Sequence, residues 1–225
     1  MAQILVFMGP PGAGKGSLSQ QCLQRYDWYQ LSTGALCRKH IIEKSSIGLK
    51  IAFAIQSGKL IPDDLMISMV KEWFRDNIDT KKSIILDGFP RTICQAELLV
   101  DLVQQELPHY TLKIVKLAVA DEIVIHRLAG RAICENKDCQ AVYSVYSRST
   151  LGPKVDMVCD MCKAHLIRRA DDERPSERLE IYHKSATQLV EFYHRAGIKV
   201  CEIDVDRLPE HIFYDFDQML GHALV

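Results

Sequence analysis

Short apolar runs alternate along this chain with segments whose apolar residues recur every three or four positions. Four runs have the length and character of buried strands, at residues 4–8, 83–86, 112–119 and 199–203. Residues 63–75 predict an amphipathic helix because their apolar positions share one face, and residues 185–195 predict another that stops at Gly197. Strands that alternate with helices predict an α/β fold, with a parallel sheet covered by helices on both faces.

Two segments interrupt this alternation and do not resemble crossover helices. Residues 32–61 are short and mainly helical in pattern, whereas residues 130–172 hold clustered cysteines, a Gly-Pro pair and aromatic residues. Both segments are therefore predicted to be insertions. They leave residues 1–31, 62–129 and 173–225 to form one core domain.

Composition restricts the classes of partner. The chain has 225 residues, 48% hydrophobic and 25% charged, with a formal net charge of −1. These values predict an ordinary globular protein, without the basic surface that binds nucleic acid or a membrane. Its first apolar run is short and has no basic flank, so it predicts a strand and not a secretory signal. We therefore expect a cytoplasmic protein whose eight cysteines are reduced.

A glycine-rich motif, GPPGAGKGS, spans residues 9–17, between the first predicted strand and a helical segment. Strand, glycine-rich turn and helix form the context of a phosphate-binding loop, in which backbone N–H groups and the helix N-terminus face phosphate oxygens. Lys15 is placed to reach the outer phosphates and Ser17 to face Mg²⁺. The candidate ATP-binding residues of this loop are Gly12, Ala13, Gly14, Lys15, Gly16 and Ser17.

A second motif follows the predicted strand at residues 83–86. The strand is followed by Asp87, as expected for a carboxylate that holds water bound to Mg²⁺. Next come Gly88-Phe89-Pro90-Arg91-Thr92 and, one helical turn later, Gln95. A guanidinium group matches phosphate with a forked pair of donors, and an amide donates and accepts at once, as the edge of adenine requires.

These motifs together resemble the nucleoside monophosphate kinase family, above all the adenylate kinases. The resemblance rests on Pro11, on the GKGS ending of the loop and on DGFPRT, and it extends over nearly the whole chain. It implies a P-loop three-layer α/β/α fold with a parallel sheet. Residues 32–61 would be the small helical insertion that binds AMP, and residues 130–172 would be a lid.

The resemblance also implies an acceptor site and a donor site. Ala35 stands where the family usually has aspartate. The implied AMP-binding residues are Thr33, Arg38, Lys59, Leu60, Ile61, Gly88, Phe89, Pro90, Arg91, Gln95, Arg169 and Arg178. Beyond the loop, the implied ATP-binding residues are Arg127, Arg131, Val142, Tyr143 and Arg207.

The expected chemistry is positioning and electrostatic stabilisation, without a nucleophilic side chain. Five cations are the candidate catalytic residues: Lys15, Arg91, Arg131, Arg169 and Arg178.

Four cysteines lie inside the predicted lid, as the pairs Cys134 with Cys139 and Cys159 with Cys162. Four thiolates suit a tetrahedral, structural Zn²⁺ site. The resemblance is to adenylate kinases with a zinc-bearing lid, although the first pair has a longer spacing than usual there. Four thiols without a metal are the alternative.

The resemblance implies reversible, Mg²⁺-dependent phosphoryl transfer from ATP to AMP, giving two ADP and maintaining adenine nucleotide balance. The expected partners are these free nucleotides, and the family is commonly monomeric. The alternatives are a kinase for UMP or CMP, a kinase with GTP as donor, and a weakly catalytic nucleotide sensor. Thr92 and Gln95 favour adenine as the acceptor base.

Overall fold

The computed structural model describes residues 2–56, 61–78, 82–136, 139, 141–146, 152–169 and 172–221. The strands are β1 (Gln3–Met8), β2 (Tyr29–Ser32), β3 (Ile84–Asp87), β4 (Thr111–Ala118), β5 (Arg131–Cys134), β6 (Val142–Ser144), β7 (Leu166–Arg168) and β8 (Val200–Asp204). The helices are α1 (Lys15–Tyr26), α2 (Thr33–Ile42), α3 (Ser46–Gln56), α4 (Asp63–Asn77), α5 (Ile93–Gln105), α6 (Asp121–Ala129), α7 (Pro175–Arg195) and α8 (Pro209–Leu220).

A five-stranded parallel sheet, in the order β2-β3-β1-β4-β8, is the centre of the fold. Because neighbouring strands run in the same direction, helices cross over between them and cover the sheet. The predicted α/β class is confirmed, and the four predicted strands are present with ends shifted by one residue. The carboxyl ends of all five strands lie along one edge.

Both faces of the sheet are buried, as a parallel sheet requires. Along β1, Ile4 and Val6 join the core that packs under α4, α5 and α7, while Leu5 and Phe7 join the core under α1 and α8. The alternation follows from the two-residue period of a strand. A continuous apolar run is therefore needed wherever a strand lies in the middle of this sheet.

Strand β2 was not predicted, and its position explains why. It lies at one edge of the sheet and pairs with β3 alone. Only Leu31 of its residues is buried, so the strand has no apolar run. Its last residue, Ser32, also caps α2, where its hydroxyl accepts a hydrogen bond from the Ala35 backbone N–H at 3.4 Å. The chain thus passes from strand to helix without a loop.

Two helices differ from the sequence prediction. Helix α7 begins at Pro175, well before residue 185, and proline fits the first turn because its missing N–H has no helical partner there. Charged residues obscure the apolar pattern of that first half. Helix α8 was not predicted, although Phe216 and Leu220 are buried against the sheet.

Two further units lie outside the central sheet. Helices α2 and α3 pack on each other so closely that a Cβ atom at Gly48 would meet the backbone of His40 and Ile41. Strands β6, β5 and β7 form a small antiparallel sheet. Among the described residues of this segment, the buried core consists of Ala132, Cys134, Cys159 and Leu166.

Within the described part of the chain, we find no helix with the length and apolar character needed to span a membrane.

The packing of α1 against α8 includes a buried polar contact. The hydroxyl of Tyr26, at the end of α1, donates to the carboxylate of Asp217, whose residue is 1% exposed. Burial and this hydrogen bond raise the pKa of Tyr26 to about 12. A buried carboxylate that loses its donor carries a desolvation cost.

We therefore predict that Tyr26→Phe lowers the free energy of unfolding by about 1–3 kcal/mol, measured by urea denaturation. Tyr214→Phe is the matched control, because Tyr214 is 49% exposed on the same helix as Asp217. The control should change stability by less than about 0.5 kcal/mol. Equal effects of the two substitutions would contradict the role of the Tyr26 contact.

Candidate active site

The glycine-rich loop lies between β1 and α1, at the carboxyl edge of the sheet. Gly12 and Gly14 have φ angles of 86° and 96°, in the left-handed region that other residues avoid. Gly14 caps α1, so the free N–H groups of the first helical turn begin at Lys15. Gly16 and Ser17 are exposed in that turn. The loop and the helix N-terminus therefore have the backbone geometry that an anion site requires.

The ammonium group of Lys15 lies over this loop. It donates to the carbonyl oxygens of Gly9 and Pro10 at 2.7 and 2.9 Å. Burial lowers the pKa of Lys15 to about 8, opposed by the carboxylate of Asp87 and reinforced by the guanidinium groups of Arg91, Arg131 and Arg178. Each of these charged groups is therefore near enough to Lys15 to act on its ammonium charge. The structure thus brings together four of the five candidate catalytic cations.

Asp172 holds two of these arginines in place. Its buried carboxylate, 6% exposed, accepts from Arg131 Nε at 2.7 Å and from Arg178 Nη1 at 2.6 Å, and Arg131 Nη2 donates to the same group. Arg131 is the first residue of β5, and Arg178 lies in the first turns of α7. One carboxylate therefore joins the start of the small sheet to α7.

Asp87 and Arg91 lie where the second motif predicts. Asp87 is the last residue of β3 and pairs in register with Phe7, two residues before the loop. Arg91 Nε donates to the carbonyl of Gly88 at 2.8 Å. Phe89 and Pro90, which are joined by a cis peptide bond, are buried beneath this turn.

Several of the other predicted acceptor residues surround Arg91. The hydroxyl of Thr33 donates to Gly88 O at 3.0 Å, so the start of α2 touches the turn after β3. Burial raises the pKa of Cys37, and the guanidinium groups of Arg91 and Arg38 oppose this increase, so both lie near one thiol. Ile61 packs against the main core.

Gln95 is 3% exposed and its amide has partners at both ends. Gln95 Oε1 accepts from the Arg91 backbone N–H at 2.8 Å, and Nε2 donates to Asp63 Oδ1 at 2.7 Å. Asp63 Oδ2 accepts from the Thr92 hydroxyl at 2.9 Å. The start of α4 is thus linked to the start of α5.

The predicted donor residues are divided between two places. Arg127 donates to the carbonyl of Val205 at 2.7 Å, in the turn after β8 that also holds Arg207. Arg207 forms an ion pair with Asp215 in which both side chains are largely exposed. Val142, 53% exposed, and Tyr143 lie in β6 of the small sheet.

Three further predicted residues are Arg169, Lys59 and Leu60. Arg169 directly follows β7, at the base of the small sheet. Lys59 and Leu60 lie outside the described residues.

The four lid cysteines converge despite the longer spacing of the first pair. Cys134, Cys139, Cys159 and Cys162 place their sulfur atoms within 4.8 Å of one another. Tyr143 contacts the Cys159 sulfur at 3.5 Å and accepts from the Asp160 backbone N–H at 2.8 Å. Although burial opposes ionisation, hydrogen bonds from Tyr143 and from the backbone N–H groups of residues 161 and 162 lower the pKa of Cys159 to about 6. The donor set and its spacing fit a tetrahedral metal ion.

Sequence reasoning missed the two carboxylates that organise this site, Asp63 and Asp172. Neither carboxylate was assigned a role in the site from the sequence: Asp63 begins a predicted helix, and Asp172 ends the predicted lid. Their partners lie 32 residues away for Asp63–Gln95 and 41 for Asp172–Arg131, so no local pattern indicates either contact.

We predict that Asp172→Ala lowers the free energy of unfolding by about 2–4 kcal/mol, because the partly buried guanidinium groups of Arg131 and Arg178 both lose a counterion. Thermal unfolding followed by circular dichroism measures the change. Glu173→Ala removes the same charge from an exposed neighbour and should leave stability within about 0.5 kcal/mol of the parent protein. A stable Asp172→Ala protein would show that the arginines do not depend on this carboxylate.

Comparison with known proteins agrees with this geometry. The family model described as adenylate kinase matches residues 7–198. Curated adenylate kinases are similar along nearly the whole chain. That of Lactobacillus delbrueckii subsp. bulgaricus is 35% identical over 96% of this chain and 98% of its own length. That of Borrelia garinii subsp. bavariensis is 38% identical over 86% and 87%. That of Mycoplasmopsis pulmonis is 36% identical over 98% and 100%. With a phosphate-binding loop, clustered arginines and relatives of this extent, the chain belongs to the adenylate kinase family.

Proposed function

We propose that this protein catalyses the reversible, Mg²⁺-dependent reaction of ATP with AMP to give two ADP. An oxygen of the AMP phosphate forms a bond to the γ-phosphorus of ATP as the bond to the β,γ-bridging oxygen breaks. The observation that carries the proposal is that one carboxylate, Asp172, binds both Arg131 and Arg178, and that these arginines and Arg91 lie near enough to Lys15 to lower its pKa. Two bound nucleotides bring several negative charges together, and such a cluster of cations offsets them.

The donor would occupy the loop side of this cluster. Backbone N–H groups from residue 12 to residue 17 face its phosphates, and Lys15 exchanges the carbonyls of Gly9 and Pro10 for phosphate oxygens. Arg127 and Arg207 flank the turn after β8, where we place the adenine of ATP, with the backbone of Val142 and Tyr143 on its other side.

Ser17 and Asp87 are suitable for holding Mg²⁺ through water. Both offer oxygen, which Mg²⁺ prefers, and Asp87 ends the strand beside the loop. When bound, the ion neutralises charge on the β- and γ-phosphates.

The acceptor would occupy the side formed by α2 and the turn after β3. Arg38 and Arg91 lie near one another there and would bind the phosphate of AMP, joined by Arg169 and Arg178. Thr33, Gln95 and the segment from Lys59 to Ile61 would surround its base. Gly88, Phe89 and Pro90 form the turn that positions Arg91.

We further propose that residues 32–61 and 130–172 act as two insertions that close over the nucleotides. Closure would exclude water, which would otherwise accept the phosphoryl group in place of AMP. The near-neutral net charge of −1 supports free nucleotides as partners in preference to nucleic acid. We place the enzyme in the cytoplasm, as a monomer that maintains adenine nucleotide balance.

A structural Zn²⁺ ion would be held by Cys134, Cys139, Cys159 and Cys162. The small sheet supports this proposal, since the residues that the structure describes there bury a core of four side chains, which by itself supplies little stability. When bound, the metal would crosslink the hairpins of the small sheet, so that the lid moves as one body.

A coupled assay with ATP and AMP, CMP, UMP or GMP tests the proposed reaction. We expect turnover with AMP to exceed turnover with each other acceptor. Higher turnover with CMP or UMP than with AMP would show that the acceptor is a pyrimidine nucleotide. Higher turnover with GTP in place of ATP would show that GTP is the donor. A folded protein that binds ATP but uses none of the acceptors would be a sensor.

Arg91→Ala shows whether the arginine cluster performs the reaction. We expect kcat/KM for AMP to fall by about 100- to 1,000-fold with folding intact, because a charge-stabilising donor is lost. Arg75→Ala is the control, since Arg75 is 73% exposed on α4 and forms ion pairs with the exposed carboxylates of Glu72 and Asp76. Normal kinetics in Arg91→Ala would overturn the assignment of the phosphate clamp.

We predict that removing Zn²⁺ lowers the melting temperature by at least about 5 °C without abolishing turnover at 25 °C. The metal content of purified protein, measured by mass spectrometry before and after chelation, establishes the starting state. Cys139→Ser should reproduce the loss of stability, whereas Cys94→Ser, an exposed thiol on α5, should not. Unchanged stability after complete chelation would refute a structural metal.

A further inference from the structure

We infer that Asp63 determines which base the acceptor site takes, by fixing the orientation of the Gln95 amide. The inference rests on the proposed function, in which Gln95 contacts the acceptor base. It adds a positioning residue that touches neither nucleotide and selects adenine over bases with the opposite hydrogen-bonding pattern.

The orientation of the amide follows from what its partners can do. A carboxylate only accepts hydrogen bonds, so the group 2.7 Å from Asp63 Oδ1 must be the Gln95 NH₂. A backbone N–H only donates, so the group 2.8 Å from the Arg91 nitrogen must be the Gln95 carbonyl oxygen. Exchanging the two ends would break both bonds and place donor against donor and acceptor against acceptor.

Asp63 is itself fixed at both of its oxygens. Its second oxygen accepts from the Thr92 hydroxyl at 2.9 Å, and that hydroxyl accepts from the Gln95 backbone N–H at 3.2 Å as the cap of α5. Asp63 is also the first residue of α4, where the helix dipole favours negative charge. The carboxylate therefore cannot turn away from Gln95 without also losing its hydrogen bond from Thr92, the residue that caps α5. This second bond holds Asp63, and through Asp63 the Gln95 amide, in one orientation.

The fixed amide leaves one N–H donor and one acceptor lone pair for a ligand. Adenine offers an acceptor at N1 and a donor at its 6-amino group, whereas hypoxanthine offers a donor at N1 and an acceptor at O6. One orientation of an amide can complement one of these patterns and not the other. A site with fixed polar groups rejects a mismatched ligand because its buried groups are left unpaired. An amide free to rotate would accept both bases.

Kinetics with AMP and IMP as acceptors test this inference, because IMP carries the reversed pattern on a base of the same shape. In Asp63→Ala, the ratio of kcat/KM for AMP to that for IMP should fall about tenfold, mainly through KM, because one of two constraining bonds is lost. Asp63→Asn keeps an oxygen that accepts from Gln95 and should retain the ratio within about threefold. Asp64→Ala removes the same charge from the same helical turn and should leave the ratio unchanged.

The outcomes separate this inference from the proposed function. A parent enzyme that does not use AMP would refute the proposed function and the inference with it. Turnover of AMP by the parent, with an unchanged AMP to IMP ratio in Asp63→Ala, would refute the inference alone, as would an equal loss for both acceptors. Should Asp63→Ala not fold, Asp63→Leu, which restores the lost volume without an acceptor, carries the same expectation.

Discussion

This structure depends on one constraint: several positively charged side chains must lie together at one edge of the central sheet. Lys15, Arg91, Arg131 and Arg178 lie close enough that the arginines lower the pKa of the lysine. Such a cluster would repel itself in the absence of substrate. Asp172 offsets Arg131 and Arg178, Asp87 offsets part of the charge at Lys15, and loop carbonyls accept from its ammonium group. The polar groups of this site therefore have a structural function before any nucleotide binds.

The rigid support for this cluster comes from a sheet buried on both faces. Strands β1 and β3 place the glycine-rich loop and Asp87 in adjacent register, so their separation does not depend on flexible chain. In the part of the lid that the structure describes, the small sheet buries a core of four residues, and four cysteine sulfur atoms converge beside it. Most of the buried apolar core therefore belongs to the central sheet and its helices, and the small sheet contributes little to it.

Local features of the sequence were sufficient to predict the fold and many candidate residues. The glycine-rich loop, the strand before Asp87 and the turn holding Arg91 each depend on contiguous residues, and the structure places these segments along one edge. Edge strand β2 was not predicted because it is defined by its pairing with β3 and has no apolar run of its own. Asp63 and Asp172 were not predicted to organise the site because Gln95 and Arg131 lie 32 and 41 residues from them in sequence and come near only in the folded chain. The two cysteine pairs were evident in the sequence. Only the structure shows that all four sulfur atoms converge despite the four-residue gap between Cys134 and Cys139.

The direct passage from β2 to α2 has a mechanical consequence. Ser32 ends the strand and caps the helix, and Thr33 is bonded to the turn after β3, so the first turn of α2 is anchored to the sheet. Helix α3 packs tightly on α2 at Gly48, so the two helices form one unit that is attached to the sheet at the first turn of α2. Any movement of the two helices relative to the sheet would therefore pivot about the first turn of α2, and the end farthest from Ser32 would travel the greatest distance.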